Sequence, residues 1–272
     1  MPSASSNRRS VLNLAGSLLR SLAKEFGGPG VIGIGLAGSF ARGQGSGLSD
    51  IDLNIFLRKP PRSKRESYML HYRKGYLVSV KRVGLETTRS SLKEPQLAIW
   101  AVPGLRQMQL LYDPTGKLAE LQSLANTFAW HRLEKKAREF ACYQLLTAAE
   151  EVHKILAGTQ RNDPSKIVYA AVGLTLSLTE AVAVHKGLLI ESENAYFAQV
   201  QASMGKKSSW TQAHNLAIGI KAGAAFRKGV AALQLYWQTF RALEDLVPEA
   251  HYEVLQPTLG LIRRSGYLDL RL

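Results

Sequence analysis

The chain has 272 residues, 46% of them apolar and 21% charged, with a single cysteine and a formal net charge of +14. That length holds one large domain or two smaller ones, each with its own core, while the lone Cys142 excludes an internal disulfide framework and suits a reducing, cytoplasmic setting. The charge favours anionic ligands such as triphosphates, nucleic acid or an acidic partner, and no apolar run reaches the ~20 residues of a membrane span, so no membrane partner is expected.

The opening residues Met1 to Ser10 carry a basic pair but neither the apolar stretch nor the cleavage site of a signal peptide. Apolar residues at helical spacing from Val11 to Ala23 predict a helix over 8–26, stopped by Gly27-Gly28-Pro29-Gly30. Val31 to Leu36 reads as a short apolar strand that runs into Gly38-Ser39 and a glycine-rich loop. Asp50 to Leu57 is a second strand ended by Lys59-Pro60-Pro61, followed by a helical piece over 63–73 and the punctuation of Gly75. Tyr76 to Val83 alternates as a third strand, 87–100 is helical in part, and Leu105 to Tyr112 is a fourth strand. Asp113-Pro114-Thr115-Gly116 then starts another helix. This is an α/β (α+β) domain with a mixed sheet, ending near residue 126.

From about residue 130 no strand is predicted. Leu133, Ala137, Phe140, Ala141, Leu145, Ala148, Val152 and Leu156 mark one amphipathic helix over 131–157, ended by Gly158. Asp163 as N-cap and Pro164 in the first turn open a second helix that runs to about Lys186, with Gly187 closing it. Ser192 caps a short helix through about Met204, and 209–246 with the final stretch complete an all-α helical bundle. The expected organisation is therefore two domains, 1–126 and 127–272. His131, His153, His185 and His214 show no metal-ligand spacing. Glu180 lies in the nearly all-apolar run 173–184, where desolvation should raise its pKa. It is either a general base for a hydroxyl acceptor or a buried glutamate satisfied by a polar neighbour.

Chemistry concentrates in residues 36–53. Asp50 and Asp52 flank Ile51, so on an extended chain their carboxylates share a face and can hold divalent cations. Gly38 lets the backbone approach phosphate, Ser39 adds a hydroxyl and an N–H, and Arg42 is a fork donor for a triphosphate or a surface ion-pair partner. Ser49 either contacts nucleotide or caps the loop. Downstream, residues 58–93 carry eleven basic side chains, from Arg58 to Lys93, against Glu66 and Glu86. That stretch is a solvated basic face or an anion-binding one, and with only Tyr68, Tyr72 and Tyr76 it makes a poor stacking platform for single-stranded nucleic acid.

The ensemble Gly38-Ser39, Ala41-Arg42-Gly43 and Ser49-Asp50-Ile51-Asp52 resembles the signature of the nucleotidyltransferase superfamily typified by DNA polymerase beta. The whole layout is similar to its small two-domain, kanamycin nucleotidyltransferase-like members, including the run Leu110 to Leu118 that closes the catalytic domain in those proteins. The resemblance implies that Asp50 and Asp52 bind two Mg²⁺ ions, that ATP or another nucleoside triphosphate is the donor, and that the nucleotide sits at Gly38, Ser39, Arg42 and Ser49. It also implies a third metal carboxylate on a neighbouring strand, and the candidate strand Tyr76 to Val83 has none: Ser79 or Lys81 stands there, and Glu86 lies past its end. Three explanations remain open. Glu86 folds back to the metals, two carboxylates suffice with water, or nucleotide is bound without turnover; Lys81 can in any case hold phosphate.

The resulting expectation is an enzyme that transfers a nucleoside monophosphate, AMP from ATP first of all, to a hydroxyl of a small-molecule acceptor. A polycationic, aminoglycoside-like acceptor is hard to reconcile with so basic a chain. Nucleotidylation of RNA or protein is the second enzymatic alternative. A third is a catalytically degenerate nucleotide- or partner-binding protein, as in antitoxin members of the superfamily. No Arg-x(4–6)-His pattern of the partnering helical ribonucleases occurs in the helical part. Resemblance to two-domain relatives also implies a homodimer.

Overall fold

The computed structural model describes residues 16–272, which fall into two compact units meeting at Ala129 and Trp130. In the first, helix α1 occupies residues 16–26; the rest of the predicted 8–26 helix lies outside the described residues. Five strands follow: β1 (Val31–Ala37), β2 (Ile51–Leu57), β3 (Tyr68–Arg73), β4 (Tyr76–Gly84) and β5 (Gln109–Tyr112), in the spatial order β3-β4-β2-β1-β5. Only β2 and β4 run parallel, so the sheet is mixed. Between the strands lie α2 (Gly38–Ala41), α3 (Lys64–Ser67), α4 (Leu85–Ser91) and α5 (Pro95–Gln107), with α6 (Lys117–Asn126) after β5.

The sheet's two faces follow from the period-two alternation of its central strands. Ile51, Leu53 and Ile55 of β2 face the same way as Val78 and Val80 of β4 and bury against Leu18 and Leu22 of α1. Each such side chain contributes about 1.5–3 kcal/mol by leaving water. The intervening residues Asp52, Asn54 and Phe56 take the other face. There Met108 packs on Gly35 and Leu118 on Gly33, so that only part of the face is covered.

Two sequence expectations change here. Residues 63–73 are not a helix: α3 is one turn, capped by the Ser63 hydroxyl accepting from the Glu66 N–H at 3.2 Å, and Tyr68–Arg73 is the edge strand of a hairpin. Arg73 pairs with Tyr76 across a two-residue turn, Lys74 (φ 49°) and Gly75 (φ 85°). Positive φ at both turn residues gives the twist that antiparallel strands need, and lysine in the first place hid the signal. The helix α5 extends to Gln107, through Pro103 and Gly104, which leaves β5 only four residues of the predicted 105–112 strand.

In the second unit the helices are α7 (Glu134–Thr147), α8 (Ala149–Gln160), α9 (Pro164–His185), α10 (Tyr196–Met204), α11 (Ser209–Ile218), α12 (Ala225–Leu243) and α13 (Tyr252–Arg264). Residues 131–157 thus form two helices and a preceding 3₁₀ turn rather than one helix. Gly158 does not end α8 but sits inside it, buried, where a Cβ would press on Ile167 of α9. The start of α9 is as its residues suggest: Asp163 Oδ1 accepts from the Lys166 N–H at 3.0 Å, with Pro164 in the first turn. By length and apolar composition α9 is able to cross a membrane, but it is the central helix of this unit, surrounded by α7, α8, α11 and α12.

Several polar groups buried in this bundle are matched to one another. Trp210 Nε1–H donates to Thr239 Oγ1 at 2.9 Å. Thr179 Oγ1 donates to the Thr175 carbonyl, so it accepts from His214 Nε2–H at 3.1 Å, while His214 Nδ1 accepts from Gln201 at 3.0 Å. His214 is therefore neutral, and burial pushes its pKa down to about 4.

Candidate active site

The open part of the sheet face is built around Asp52. Strand β1 ends at Ala37, the partner of Asp52 across the β1–β2 ladder, and the chain turns at once into α2. Gly38 makes that turn with φ +66°, in the left-handed region, and the space its Cβ would fill is taken by Asp52 Oδ2. Only glycine satisfies both conditions. The Gly38-Ser39 backbone is thereby laid directly beside a carboxylate fourteen positions later in sequence.

 


Asp50 lies one residue before β2 and, by the same alternation, on the same side as Asp52; both are half-buried. A pair of carboxylates on one face, with a glycine cradle next to them, fits a hard divalent cation that shares its shell with phosphate oxygens. No group of three or more His, Cys, Asp or Glu side chains able to hold a metal occurs among the described residues.

The register identifies what stands in the third carboxylate's place. Ser79 pairs with Asp52 across β2 and β4, and its hydroxyl, largely buried, donates to Tyr68 Oη at 3.4 Å. Lys81 is one step further along the same face, paired with Asn54, and exposed. The structure does not bring Glu86 to this place. Ser79 to Gly84 is five residue steps along β4, about 17 Å of extended chain, and Glu86 lies beyond that, in the first turn of α4, paired with Arg89 at 3.4 Å. Glu86 as a metal ligand is thus a correction: the strand carries it to the opposite end of β2 from Asp50 and Asp52.

Other predicted residues divide in the same way. Arg42 follows α2, and its Nε–H donates to Gln44 at 3.2 Å and its Nη1–H to Gln107 at 3.4 Å. These neutral amides orient the guanidinium without cancelling its charge, and it makes no ion pair among the described residues. Ser49 closes the loop: its Oγ accepts from the Ser46 N–H and shares a hydrogen bond with the Ser46 hydroxyl, both at 3.0 Å. Glu180, in the second unit, is half-buried and accepts from Gln144 Nε2 at 2.9 Å, and desolvation raises its pKa.

One feature of this face escaped the sequence reading. A cavity of about 340 Å³ is floored by Asn54 and Lys81 and walled by α4 and α5, with Trp100 and Gly104 among its lining residues. Pro103 and Gly104 lie in the interior of α5, where together they cost about 4 kcal/mol of helix propensity relative to alanine. Residues 101–104 carry no assignment in the sequence analysis, and Gly104, which lines the cavity, is the signal that could have pointed to it.

Residues 17–99 match the family model described as the nucleotidyltransferase domain. The first unit carries a nucleotidyltransferase domain. Domains of this kind generally use a nucleoside triphosphate and a divalent metal, and the match spans the Gly38-Ser39 turn, both aspartates and Ser79. No curated protein matches the chain. A nucleotidyltransferase-like protein from Exiguobacterium sibiricum 255-15, solved by crystallography at 1.90 Å, aligns at 13% identity over 94% of this chain and 90% of that one, with a TM-score of 0.45.

Proposed function

We propose that the protein transfers a nucleoside monophosphate, AMP from ATP in the first instance, to a hydroxyl group of a small molecule. The observation that carries this reading is the packing of Gly38 against Asp52, which joins a phosphate-approach turn to a metal-type carboxylate pair. Asp50 and Asp52 would hold Mg²⁺, which supplies charge neutralisation of the triphosphate and activation of the attacking hydroxyl. Gly38 and Ser39 give the β- and γ-phosphates a surface of backbone close enough to hydrogen-bond, and Arg42 adds a fork donor aimed by Gln44 and Gln107. Lys81 adds a second cation on the same face.

Transfer forms a bond from the acceptor oxygen to the α-phosphorus, breaks the bond from that phosphorus to the bridging oxygen of pyrophosphate, and releases the hydroxyl proton to solvent. Ser79 offers a neutral hydroxyl where a third carboxylate would add negative charge, so two acidic side chains carry the metal-binding role. Glu180 has its partner in Gln144 and takes no step in this scheme.

Pyrophosphate release from ATP, screened over hydroxyl compounds with wild type and Asp52→Asn, tests the reading. Release that depends on an acceptor and falls at least 100-fold in the variant is expected. Tight Mg·ATP binding with no release for any acceptor favours the nucleotide-binding, non-catalytic alternative, for which the serine at position 79 is the supporting observation.

A further inference from the structure

The sheet order places β1 and β4 on opposite sides of β2. Gly38 and Arg42, the proposed phosphate-binding groups, belong to the β1 side of Asp52, and the cavity extends from β2 over β4, floored by Asn54 and Lys81. In a phosphoryl transfer the attacking and leaving oxygens lie roughly in line through the phosphorus. If pyrophosphate leaves over β1 and α2, the attacking hydroxyl must come from over β4. Asn54 in the cavity floor is two residues from Asp52 on the same face, about 7 Å along the strand, so a ligand seated there reaches the carboxylates.

We propose that this cavity holds the acceptor, and that the acceptor is a small, ring-bearing hydroxyl compound that is uncharged or anionic rather than a polycation. The inference rests on the nucleotidyl-transfer reading and adds its substrate class. At about 340 Å³ the cavity is at the small end of ligand pockets, which run from about 300 to 1,000 Å³. Phe56, Leu97 and Trp100 give it apolar walls suited to a ring; Thr87 and Ser91 give it hydroxyls. Lys81 is its single charged lining residue, and no carboxylate lines it to receive an ammonium group. Its wall is also kept thin at a cost to the helix. No atom lies within 4 Å of the position a Cβ would take at Gly104, so packing does not demand glycine in the interior of α5. A larger side chain would narrow the cavity instead.

The probe is 8-anilinonaphthalene-1-sulfonate, an anionic aromatic, titrated by fluorescence, with Mg·ATP binding measured by calorimetry on the same samples. Gly104→Leu, which favours the helix, and Ala101→Phe, one turn earlier on the same wall, should each weaken the probe at least tenfold while Mg·ATP binding stays within twofold of wild type. Lys81→Glu should weaken the probe as well. With Mn²⁺ and ATP present, proton signals of the bound probe should broaden in wild type and stay sharp in Asp52→Asn. Unchanged probe affinity in both cavity-filling variants, or no broadening in wild type, overturns the assignment of the cavity. Loss of Mg·ATP binding together with the probe also overturns it, because the cavity then holds the nucleotide. Wild type that binds no Mg·ATP sinks the nucleotidyl-transfer reading itself, a result separate from the probe titrations.

Discussion

The two units treat their polar residues in opposite ways. In the helical unit, His214, Thr179, Thr175, Gln201, Trp210 and Thr239 satisfy one another inside the bundle, and Glu180 is matched by Gln144. Such groups cost stability if left alone and contribute order when paired. In the sheet unit Asp50 and Asp52 stand half-buried at a partly open face, and Gly104 holds a helix-interior position where packing does not demand glycine. Polar residues paired inside the bundle hold its fold together; Asp52 stands instead at an open face, beside a Gly38 whose positive φ and closeness to that carboxylate both require glycine.

That contrast can be broken at defined places. Gly38→Val should have the largest effect. It forces a side chain into the left-handed region, costing roughly 1–2 kcal/mol, and drives a methyl group into Asp52 Oδ2. Mg·ATP binding should disappear by calorimetry while far-ultraviolet circular dichroism stays native; retained binding would separate the turn from the carboxylate.

Acidification tests the helical unit. His214 titrates near 6.5 when unfolded and at about 4 when folded, so the unfolded chain takes up the proton first. The stability tied to its neutral form is complete above pH 6.5 and is lost as pH falls towards about 4, by about 3 kcal/mol in all. Urea melts at pH 7 and pH 4 should show that loss in wild type and a shallower one in His214→Gln. Equal slopes would mean that the imidazole is not held neutral by burial.

Gly158→Ala should cost about 1–2 kcal/mol in the same melts, because crowding Ile167 outweighs the gain in helix propensity. The smallest effect is expected for Ser49→Ala, whose hydroxyl serves the loop through Ser46. A loss under about 1 kcal/mol with nucleotide affinity unchanged would keep Ser49 out of the site, and a large drop in affinity would put it back.

What could be read in advance follows the same division. Strands β1, β2 and β4 and the start of α9 were legible because each has a strong local signal: an apolar run, period-two alternation, or Asp163-Pro164 at a helix start. Alternation also puts Asp52 on the partly open face, where the β2 register has it, with Asp50 one residue before the strand. The β3 hairpin was not legible, since Lys74-Gly75 is an uncommon pair for a turn with positive φ at both positions. Nor was the end of Glu86 as a candidate ligand, which depends on the parallel register of β2 and β4, and register is a tertiary fact. The cavity depended on α5 continuing through Pro103-Gly104, where local propensity pointed to a break and packing of Val102 and Leu105 prevailed.

The proposed function stands on Gly38, Asp50 and Asp52 as one metal–nucleotide site. Calorimetry of ATP binding with and without Mg²⁺, on wild type and on Asp50→Asn/Asp52→Asn, tests it most directly. Binding should require Mg²⁺ and be lost in the double variant with the fold intact. Binding indifferent to Mg²⁺ and to both substitutions, or no binding of ATP, GTP, CTP or UTP by wild type, would contradict it.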